Sequence, residues 1–146
     1  MRVTRRPLTD ADQGFAREAH HGAYRVVVVR QFGEWDDAKQ DGIVARDWAD
    51  ADFEMLEADG VLCGYACIEE RPGDFHVREL VVHPAHQGRG VGTAVLKETM
   101  ERARAKAVPV HLGTFIHNRA ADLYRRLGFK ETGRTDIHIL MEWIPE

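Results

Sequence analysis

The sequence predicts a mixed α/β fold in which helices cover both faces of one central sheet. Three observations lead to this prediction. An apolar, β-branched run ends at Pro84 and is followed by a glycine-rich loop and then by a long helical pattern. Alternating apolar residues on both sides of Asp59 and Gly60 predict a β-hairpin. Apolar residues that recur at intervals of three and four predict amphipathic helices between the strands.

The length and composition of the chain limit the classes of protein to consider. A chain of 146 residues suits one domain with one hydrophobic core, and we predict a single domain over residues 1–146. No apolar run reaches the ~18–20 residues of a membrane span, and no apolar signal core follows Met1, so we expect a cytoplasmic protein without membrane contact. A net charge of −4 provides no general attraction to nucleic acid, which we therefore do not expect as a partner.

The first half of the chain predicts a strand, two helices and a hairpin. Thr9 or Asp10 is the expected cap of the first helix, because such side chains accept hydrogen bonds from the free N–H groups at a helix start. Both faces of the second hairpin strand are apolar, which predicts a central place in the sheet. The predicted elements are a strand at 3–6, helices at 12–32 and 38–48, and strands at 53–57 and 61–69.

The second half of the chain predicts further strands and helices around the glycine loop. Gly128 is the expected C-terminal cap of the last helix, and a turn at Gly133 separates the two closing strands. Alternation places four residues on the inward face of the final strand, namely Ile137, Ile139, Met141 and Trp143. The predicted elements are a strand at 75–83, a helix from about Thr93 to Pro109, a strand at 110–115, a helix at 118–127, and strands at 129–132 and 135–143.

The cysteines and histidines do not suggest a metal site. Cys63 and Cys67 are four residues apart in one predicted strand, so about 13 Å separates them at ~3.3 Å per residue, which is too far for a disulfide. We expect both to be small buried residues. The histidine pairs at 20–21 and 83–86 lack a thiol or carboxylate set with the spacing of zinc ligands. We therefore expect no metal.

The loop at 87–92 reads Gln-Gly-Arg-Gly-Val-Gly and has the character of an anion site. Glycines let the backbone approach a ligand closely, and a helix start offers unpaired N–H groups and the positive end of the macrodipole. A phosphate or pyrophosphate is the expected ligand. The dinucleotide fingerprint is not met, because Thr93 occupies the position of its third glycine and no acidic residue follows after about 20 positions. The Gly-Lys-Ser/Thr of nucleotide triphosphatases is also absent.

Two motifs and the order of the elements resemble the GNAT superfamily of N-acyltransferases. Gln-x-x-Gly-x-Gly at 87–92, after a Val-x-Pro strand end, is similar to the acyl-CoA loop of that family. One helix and one strand later, residues 118–129 read Asn-Arg-Ala-Ala-Asp-Leu-Tyr-Arg-Arg-Leu-Gly-Phe and resemble its second motif. The resemblance implies the GNAT fold, with a mixed and mostly antiparallel central sheet, and N-acetyl transfer from acetyl-CoA.

The resemblance also implies roles for individual residues. The N–H groups of the loop hold the pyrophosphate of coenzyme A, and the backbone of Val81 and Val82 follows the pantetheine arm. Asn118 contacts that arm, and the hydroxyl of Tyr124 is the general acid beside the sulfur. The alternatives are packing of Tyr124 on the sheet, an N-cap role for Asn118 and a solvated Arg89. The implied loop residues are Gln87, Gly88, Arg89, Gly90, Val91, Gly92 and Thr93.

Three candidates for the general base are left open. A lysine-type amine has a pKa near ~10.4, so acetyl transfer at neutral pH requires removal of a proton. Glu79 shares a strand face with apolar residues, where burial would raise the pKa of its carboxyl group. His76 on the opposite face is the second candidate, and a water chain is the third. An ion pair is the structural alternative for Glu79.

The expected acceptor is a primary amine of a small molecule or of a peptide or protein. The first two helices and their connection contain aromatic residues and acids that suit an amine, although runs of acids are more often solvated. The alternative to an enzyme is a non-catalytic acyl-CoA-binding module of the same fold, and the intact Tyr124 and Glu79 argue against it. We expect a monomer or a homodimer. The aromatic residues and acids that suit an amine acceptor are Tyr24, Phe32, Trp35, Trp48, Glu34, Asp36, Asp37, Asp41, Asp47 and Asp50.

Overall fold

The computed structural model describes all 146 residues and contains every element that the sequence predicts, with ends shifted by a few residues. In chain order the elements are β1 (Val3–Pro7), α1 (Gln13–Phe32), α2 (Asp37–Asp50), β2 (Glu54–Ala58), β3 (Val61–Arg71), β4 (Asp74–Val82), α3 (Val91–Lys106), β5 (Val110–Phe115), α4 (Ala120–Arg126), β6 (Lys130–Arg134) and β7 (His138–Trp143). Short 3-10 turns at Asp10–Asp12 and Pro84–His86 precede α1 and the glycine loop. No helix is both long enough and apolar enough to cross a membrane.

The strands form one seven-stranded sheet in the order β1-β2-β3-β4-β5-β7-β6. The pairs β1–β2, β2–β3, β5–β7 and β6–β7 are antiparallel, and β4 and β5 are parallel. A parallel pair requires a crossover connection, which here contains α3. The prediction of a mixed, mostly antiparallel sheet flanked by helices is confirmed.

The β2–β3 hairpin has the turn that its sequence predicts. Asp59 and Gly60 have φ angles of 50° and 83°, which are the left-handed values that both central residues of a type I′ turn require. Residues 63–67 of β3 are all buried, as expected of a central strand. Cys63 and Cys67 are free thiols within this run, so the prediction of two small buried residues is confirmed.

The chain folds into two compact units, and β4 contributes to both. The first unit contains residues 1–67 and 79–92. Ala16 and Ala19 of α1 belong to its hydrophobic core, together with Tyr65 of β3. The small alanine side chains allow the helix backbone to approach the strands closely, so α1 is seated firmly on this part of the sheet.

A partly buried ion pair fixes the start of α1 in the first unit. Two guanidinium nitrogens of Arg6 each donate to one carboxylate oxygen of Asp12 at 2.9 Å. The backbone N–H of Thr9 donates to Asp12 at 2.9 Å. The hydrogen bonds from Arg6 hold the pKa of Asp12 well below its usual range in spite of burial. Asp12 is therefore ionised in the folded state and ties β1 to α1.

The second unit contains residues 68–78 and 93–146. Ile139, Met141 and Trp143 of β7 are buried, as their alternation predicts. The prediction that Ile137 lies on the inward face of this strand is wrong, because Ile137 is 38% exposed and precedes the strand.

The turn between the closing strands lies at 135–137 and not at Gly133. The Thr135 hydroxyl accepts hydrogen bonds from the backbone N–H groups of Ile137 and His138, at 3.2 and 2.9 Å, and closes the turn. Gly133 instead follows an irregularity in the pairing of β6 with β7. A glycine inside a strand often marks such a bulge, which explains why the predicted turn was wrong.

Candidate functional site

The second half of β4 carries the residues expected to follow the pantetheine arm. The parallel ladder with β5 pairs Phe75, His76 and Val77 and ends there, whereas β4 continues to Val82. Val81 is buried and Val82 is half-buried. The backbone of Val81 and Val82 therefore lies beyond the residues that pair with β5.

Gly64 of β3 lies directly against this part of β4. A Cβ atom at Gly64 would be 2.1 Å from the carbonyl oxygen of Val81 and 3.1 Å from the Cα atom of Val82. The backbone N–H of His83 donates to the carbonyl oxygen of Cys63 at 2.8 Å. Only glycine leaves room for this approach, so β3 determines the path of the β4 backbone at Val81 and Val82.

His83 connects the end of β4 to α1 through both of its ring nitrogens. Its Nδ1 atom accepts a hydrogen bond from the backbone N–H of Ala85 at 3.0 Å, and its Nε2 atom lies 2.7 Å from Oε1 of Glu18. Because Nδ1 is the acceptor, Nε2 carries the hydrogen and donates it to Glu18. The ring of Phe15 stacks on the imidazole with 5.4 Å between centroids. Three contacts thus hold His83 at the entrance to the glycine loop.

Pro84 packs directly on α1 at Gly22. A Cβ atom at Gly22 would lie 2.5 Å from Cγ and 2.9 Å from Cδ of the proline ring. The ring cannot rotate away as a flexible side chain would. Gly22 therefore allows α1 to support the segment that leads into the loop.

The glycine loop has an exposed backbone. Gly88 and Gly90 have φ angles of 77° and 85°, in the left-handed region that favours glycine. The side-chain amide of Gln87 donates to the carbonyl oxygen of Val82 at 3.0 Å. Residues 87–90 are exposed. Gln87 thus closes the loop onto β4 while the backbone of the glycines faces solvent.

Helix α3 begins at Val91, two residues before the predicted start at Thr93. The N–H groups of Val91, Gly92 and Thr93 therefore lie in the first helical turn, where N–H groups lack intrahelical acceptors. The side chain of Arg89 is exposed just before this turn. N–H donors at a helix start, with a cation nearby, are chemically suited to an anion. These residues fit the pyrophosphate of coenzyme A.

Asn118 and Tyr124 lie in the second unit, around α4. Oδ1 of Asn118 accepts a hydrogen bond from the N–H of Ala120 at 2.9 Å, so the side chain caps the start of the helix. Tyr124 is 9% exposed, and its ring packs against Phe129 with 6.0 Å between centroids. The Tyr124 ring is therefore held by packing, and the role of its hydroxyl stays a prediction.

Glu79 has a hydrogen-bond partner that the sequence did not indicate. The hydroxyl of Tyr24, on α1, donates a hydrogen bond to Oε1 of Glu79. Both side chains are half-buried. No local pattern signals this contact, because 55 positions separate the two residues.

His76, the other candidate base, is turned away from Glu79. The two residues are three positions apart on β4, and side chains at odd spacings point to opposite faces of a strand. Nδ1 of His76 lies 2.8 Å from Oε1 of Glu69 on β3. The structure therefore does not bring the two candidate bases together on one strand face.

Several acids proposed as acceptor contacts bind groups of the protein itself. Asp36 accepts a hydrogen bond from the first turn of α2 at 3.0 Å. Asp37 accepts from Nε1 of Trp35 at 2.7 Å, and Asp41 lies 2.7 Å from Nε2 of His21. These acids organise the α1–α2 region.

A family model described as the acetyltransferase (GNAT) domain matches residues 49–131, which are more than half of the chain. The chain is 37% identical over 78 residues to the N-alpha-acetyltransferase RimI of Mycobacterium tuberculosis, a match that covers 51% of this chain and 49% of that protein. It is 44% identical over 79 residues to the mycothiol acetyltransferase of Streptomyces avermitilis, and that match covers 51% of this chain and 24% of that protein. The chain thus spans about half the length of these curated relatives, or less.

A solved structure is similar along the whole chain. The paiA N-acetyltransferase of Thermoplasma acidophilum, in complex with coenzyme A, matches over 99% of both chains with a TM-score of 0.67 and 19% sequence identity. At this level of identity the similarity concerns the fold.

Proposed function

The chain belongs to the GNAT family of acetyltransferases, as its two motifs predict, and on this premise we propose that it is an acetyl-CoA-dependent N-acetyltransferase. The observation that carries the proposal is the exposed loop before α3, with Gly88 and Gly90 in left-handed conformations. Successive N–H groups in such a conformation form a concave site for phosphate oxygens. The two relatives named as acetyltransferases support the same activity.

We assign coenzyme A to the loop and to the end of β4. Residues 87–93 would hold the pyrophosphate through their N–H groups, with Arg89 as a nearby cation. The backbone of Val81 and Val82 would follow the pantetheine arm, and Asn118 would contact that arm. The structure of the Thermoplasma acidophilum protein in complex with coenzyme A supports coenzyme A as the ligand, while the residues rest on the motif.

The proposed reaction forms a C–N bond and breaks a C–S bond. The neutral amine nitrogen attacks the thioester carbonyl carbon, and N–H groups of the β4 backbone stabilise the oxyanion that forms. Glu79 accepts the proton that the nitrogen releases, and the Tyr124 hydroxyl protonates the departing thiolate. His76 or a water chain is the alternative to Glu79 as the base.

The proposed acceptor is a primary amine of a small molecule or of a peptide or protein. Asp37 and Asp41 are engaged with Trp35 and His21. We assign the amine to Glu79 because it is the candidate base. A monomeric or homodimeric state and a cytoplasmic location stay predictions.

Two measurements test the proposed function. Acetyl-CoA is titrated into the protein by calorimetry, and thiol release is then followed with amino acids, polyamines and peptides with free N-termini. We expect saturable binding and thiol release that depends on the amine. Binding without turnover on any acceptor would favour a non-catalytic acyl-CoA-binding module. A failure to bind acetyl-CoA would contradict both functions.

A further inference from the structure

Tyr24 connects helix α1 to the candidate base on β4. Its hydroxyl donates to Oε1 of Glu79, and its ring lies 4.9 Å from the ring of His20, one helical turn earlier. Hydrogen bonds from a neutral donor to a carboxylate are short and strong compared with those between neutral groups. The contact therefore restricts the rotation of the Glu79 carboxylate. In an exposed glutamate without such a partner, the carboxylate would rotate freely.

His20 supports the ring of Tyr24 from a buried and fully bonded position. It is 7% exposed, and its Nε2 atom lies 2.9 Å from Oε1 of Gln40 on α2. Because that amide oxygen only accepts, Nε2 carries the hydrogen, and Nδ1 accepts a long hydrogen bond of 3.4 Å from the hydroxyl of Tyr65. Burial lowers the pKa of His20, in spite of the hydrogen bond to Gln40. A neutral histidine thus packs against Tyr24.

Tyrosines on two elements, α1 and β3, interact with Glu79. Tyr24 of α1 donates a hydrogen bond to Glu79, and the charge of Glu79 acts electrostatically on the hydroxyl of Tyr65 of β3. Burial is the main cause that raises the pKa of Tyr65 well above its usual range, and the charges of Glu79 and of Asp47 on α2 add to it. Tyr65 is therefore a neutral hydroxyl at physiological pH, and its hydrogen bond is directed to His20.

We propose that Tyr24 is a positioning residue, whose hydroxyl fixes the Glu79 carboxylate in the orientation that accepts the proton of the acceptor amine. The inference rests on the proposed N-acetyltransferase function and extends it to a residue of α1. A donor on α1 is suited to this task, because His20 and Gln40 connect that helix to α2. The hydrogen bond also favours the ionised form of Glu79, which is the form that can act as a base.

The first test does not require activity. Carbon-13 NMR of the glutamate carboxyl groups follows the titration of Glu79, whose resonance is identified by its loss in Glu79→Gln. Tyr24→Phe removes a donor to the ionised form, so the pKa of Glu79 is expected to rise. Tyr65→Phe is the control, because that hydroxyl bonds His20, and we expect no such rise. An unchanged titration in Tyr24→Phe would overturn the inference.

The second test is a kinetic cycle of wild type, Tyr24→Phe, Glu79→Gln and the double variant, all checked for an unchanged thermal transition. We expect kcat of Tyr24→Phe to fall roughly ten- to a hundredfold, KM for acetyl-CoA to stay unchanged, and the acidic limb of the pH profile to move to higher pH. In the Glu79→Gln background the second substitution should have no further effect. Independent effects that multiply in the double variant would overturn the inference. A wild type that acetylates no amine would instead overturn the proposed function, while the NMR titration still reports whether Tyr24 acts on Glu79.

Discussion

A methyl group added to Gly64 would lie 2.1 Å from the carbonyl oxygen of Val81. Real Cβ atoms do not approach an oxygen so closely, so the two strands could not keep their present spacing with any other residue at this position. The same part of β4 is the one assigned to the pantetheine arm. Gly64 therefore determines the path of the backbone to which we assign the pantetheine arm.

We expect Gly64→Ala to lower both stability and coenzyme affinity. Overpacking of a core typically costs about 1–3 kcal/mol, and here the obstacle is backbone, which cannot rotate away. Gly113→Ala on β5 is the matched control, because its new methyl group would lie 3.5 Å from a Leu140 side-chain carbon and 3.8 Å from the Ile139 carbonyl oxygen, which are ordinary contact distances. Thermal unfolding and calorimetry with coenzyme A provide the measurements. Equal behaviour of the two variants would show that β4 can move without consequence.

Substitutions at Gly22 and Gly14 distinguish the effect of the contact with Pro84 from the effect of helix propensity. Gly22→Ala places a methyl group 2.5 Å from the Pro84 ring, whereas Gly14→Ala on the same helix meets nothing within 4 Å. Gly14→Ala should stabilise the protein by up to about 1 kcal/mol, because alanine is the better helix former. We expect Gly22→Ala to destabilise it and to weaken coenzyme A binding. Stabilisation by both variants in urea unfolding would contradict the role assigned to this contact.

Two substitutions test whether the hydrogen bond accepted by Nδ1 of His83 contributes to coenzyme A binding. Asparagine can also accept a hydrogen bond from the Ala85 N–H, as a helix cap does, but alanine cannot. Both substitutions remove the contacts with Glu18 and Phe15. We expect His83→Ala to weaken coenzyme A binding more than His83→Asn, by an amount on the order of 1 kcal/mol, the usual contribution of a cap. Titration calorimetry measures the difference, and equal affinities would assign the effect to the contacts with α1.

Stability should depend on pH through His111 in the second unit. Its Nδ1 atom lies 2.6 Å from Asp74 and its Nε2 atom 2.7 Å from Glu142. Partial burial acts to lower the pKa of His111, but the hydrogen bonds to the two carboxylates outweigh it and raise the pKa above the usual 6.5. A raised pKa in the folded state stabilises the protein fully below the unfolded value, and this contribution is lost as the pH rises through the folded value.

The expected result is a stability difference between wild type and His111→Gln that shrinks as the pH is raised from about 6 to about 9. The contribution of Asp74 to stability depends on pH in the opposite direction and at acid pH. Hydrogen bonds, chiefly from Arg71, lower its pKa, so its contribution is present above the usual 3.8 and is lost as the pH falls through the folded value. Urea unfolding from acid pH up to about pH 9 measures both effects, with His86→Gln as a control outside the cluster. A difference that grows with pH would contradict the assignment for His111.

Local sequence patterns predicted most of the fold because its signals are local. The Asp59-Gly60 pair specifies a type I′ turn by its own backbone preferences, and alternation identified the buried face of β7. Gly133 misled because a glycine permits both a turn and a bulge, and the Thr135 hydroxyl closes the turn two residues later.

The contacts that surround the candidate site could not be predicted in the same way. The bond between Tyr24 and Glu79 joins residues 55 positions apart, and the packing of Gly22 on Pro84 depends on the placement of a whole helix. Such contacts follow from tertiary packing, which periodicity does not encode. The glycine loop could be predicted because its conformation depends on residues that are consecutive in the sequence.

The most direct test of the central claim is acetyl transfer by wild type and by Tyr124→Phe. Mass spectrometry of the acceptor and a thiol assay are run on the same reaction, and coenzyme A binding is measured for both proteins. We predict one acetylated amine per thiol released, a rate lowered by about a hundredfold in Tyr124→Phe, and unchanged binding. Thiol release without an acetylated amine, or an unchanged rate in a variant that lacks the hydroxyl, would contradict the account of this protein as an N-acetyltransferase with Tyr124 as its general acid.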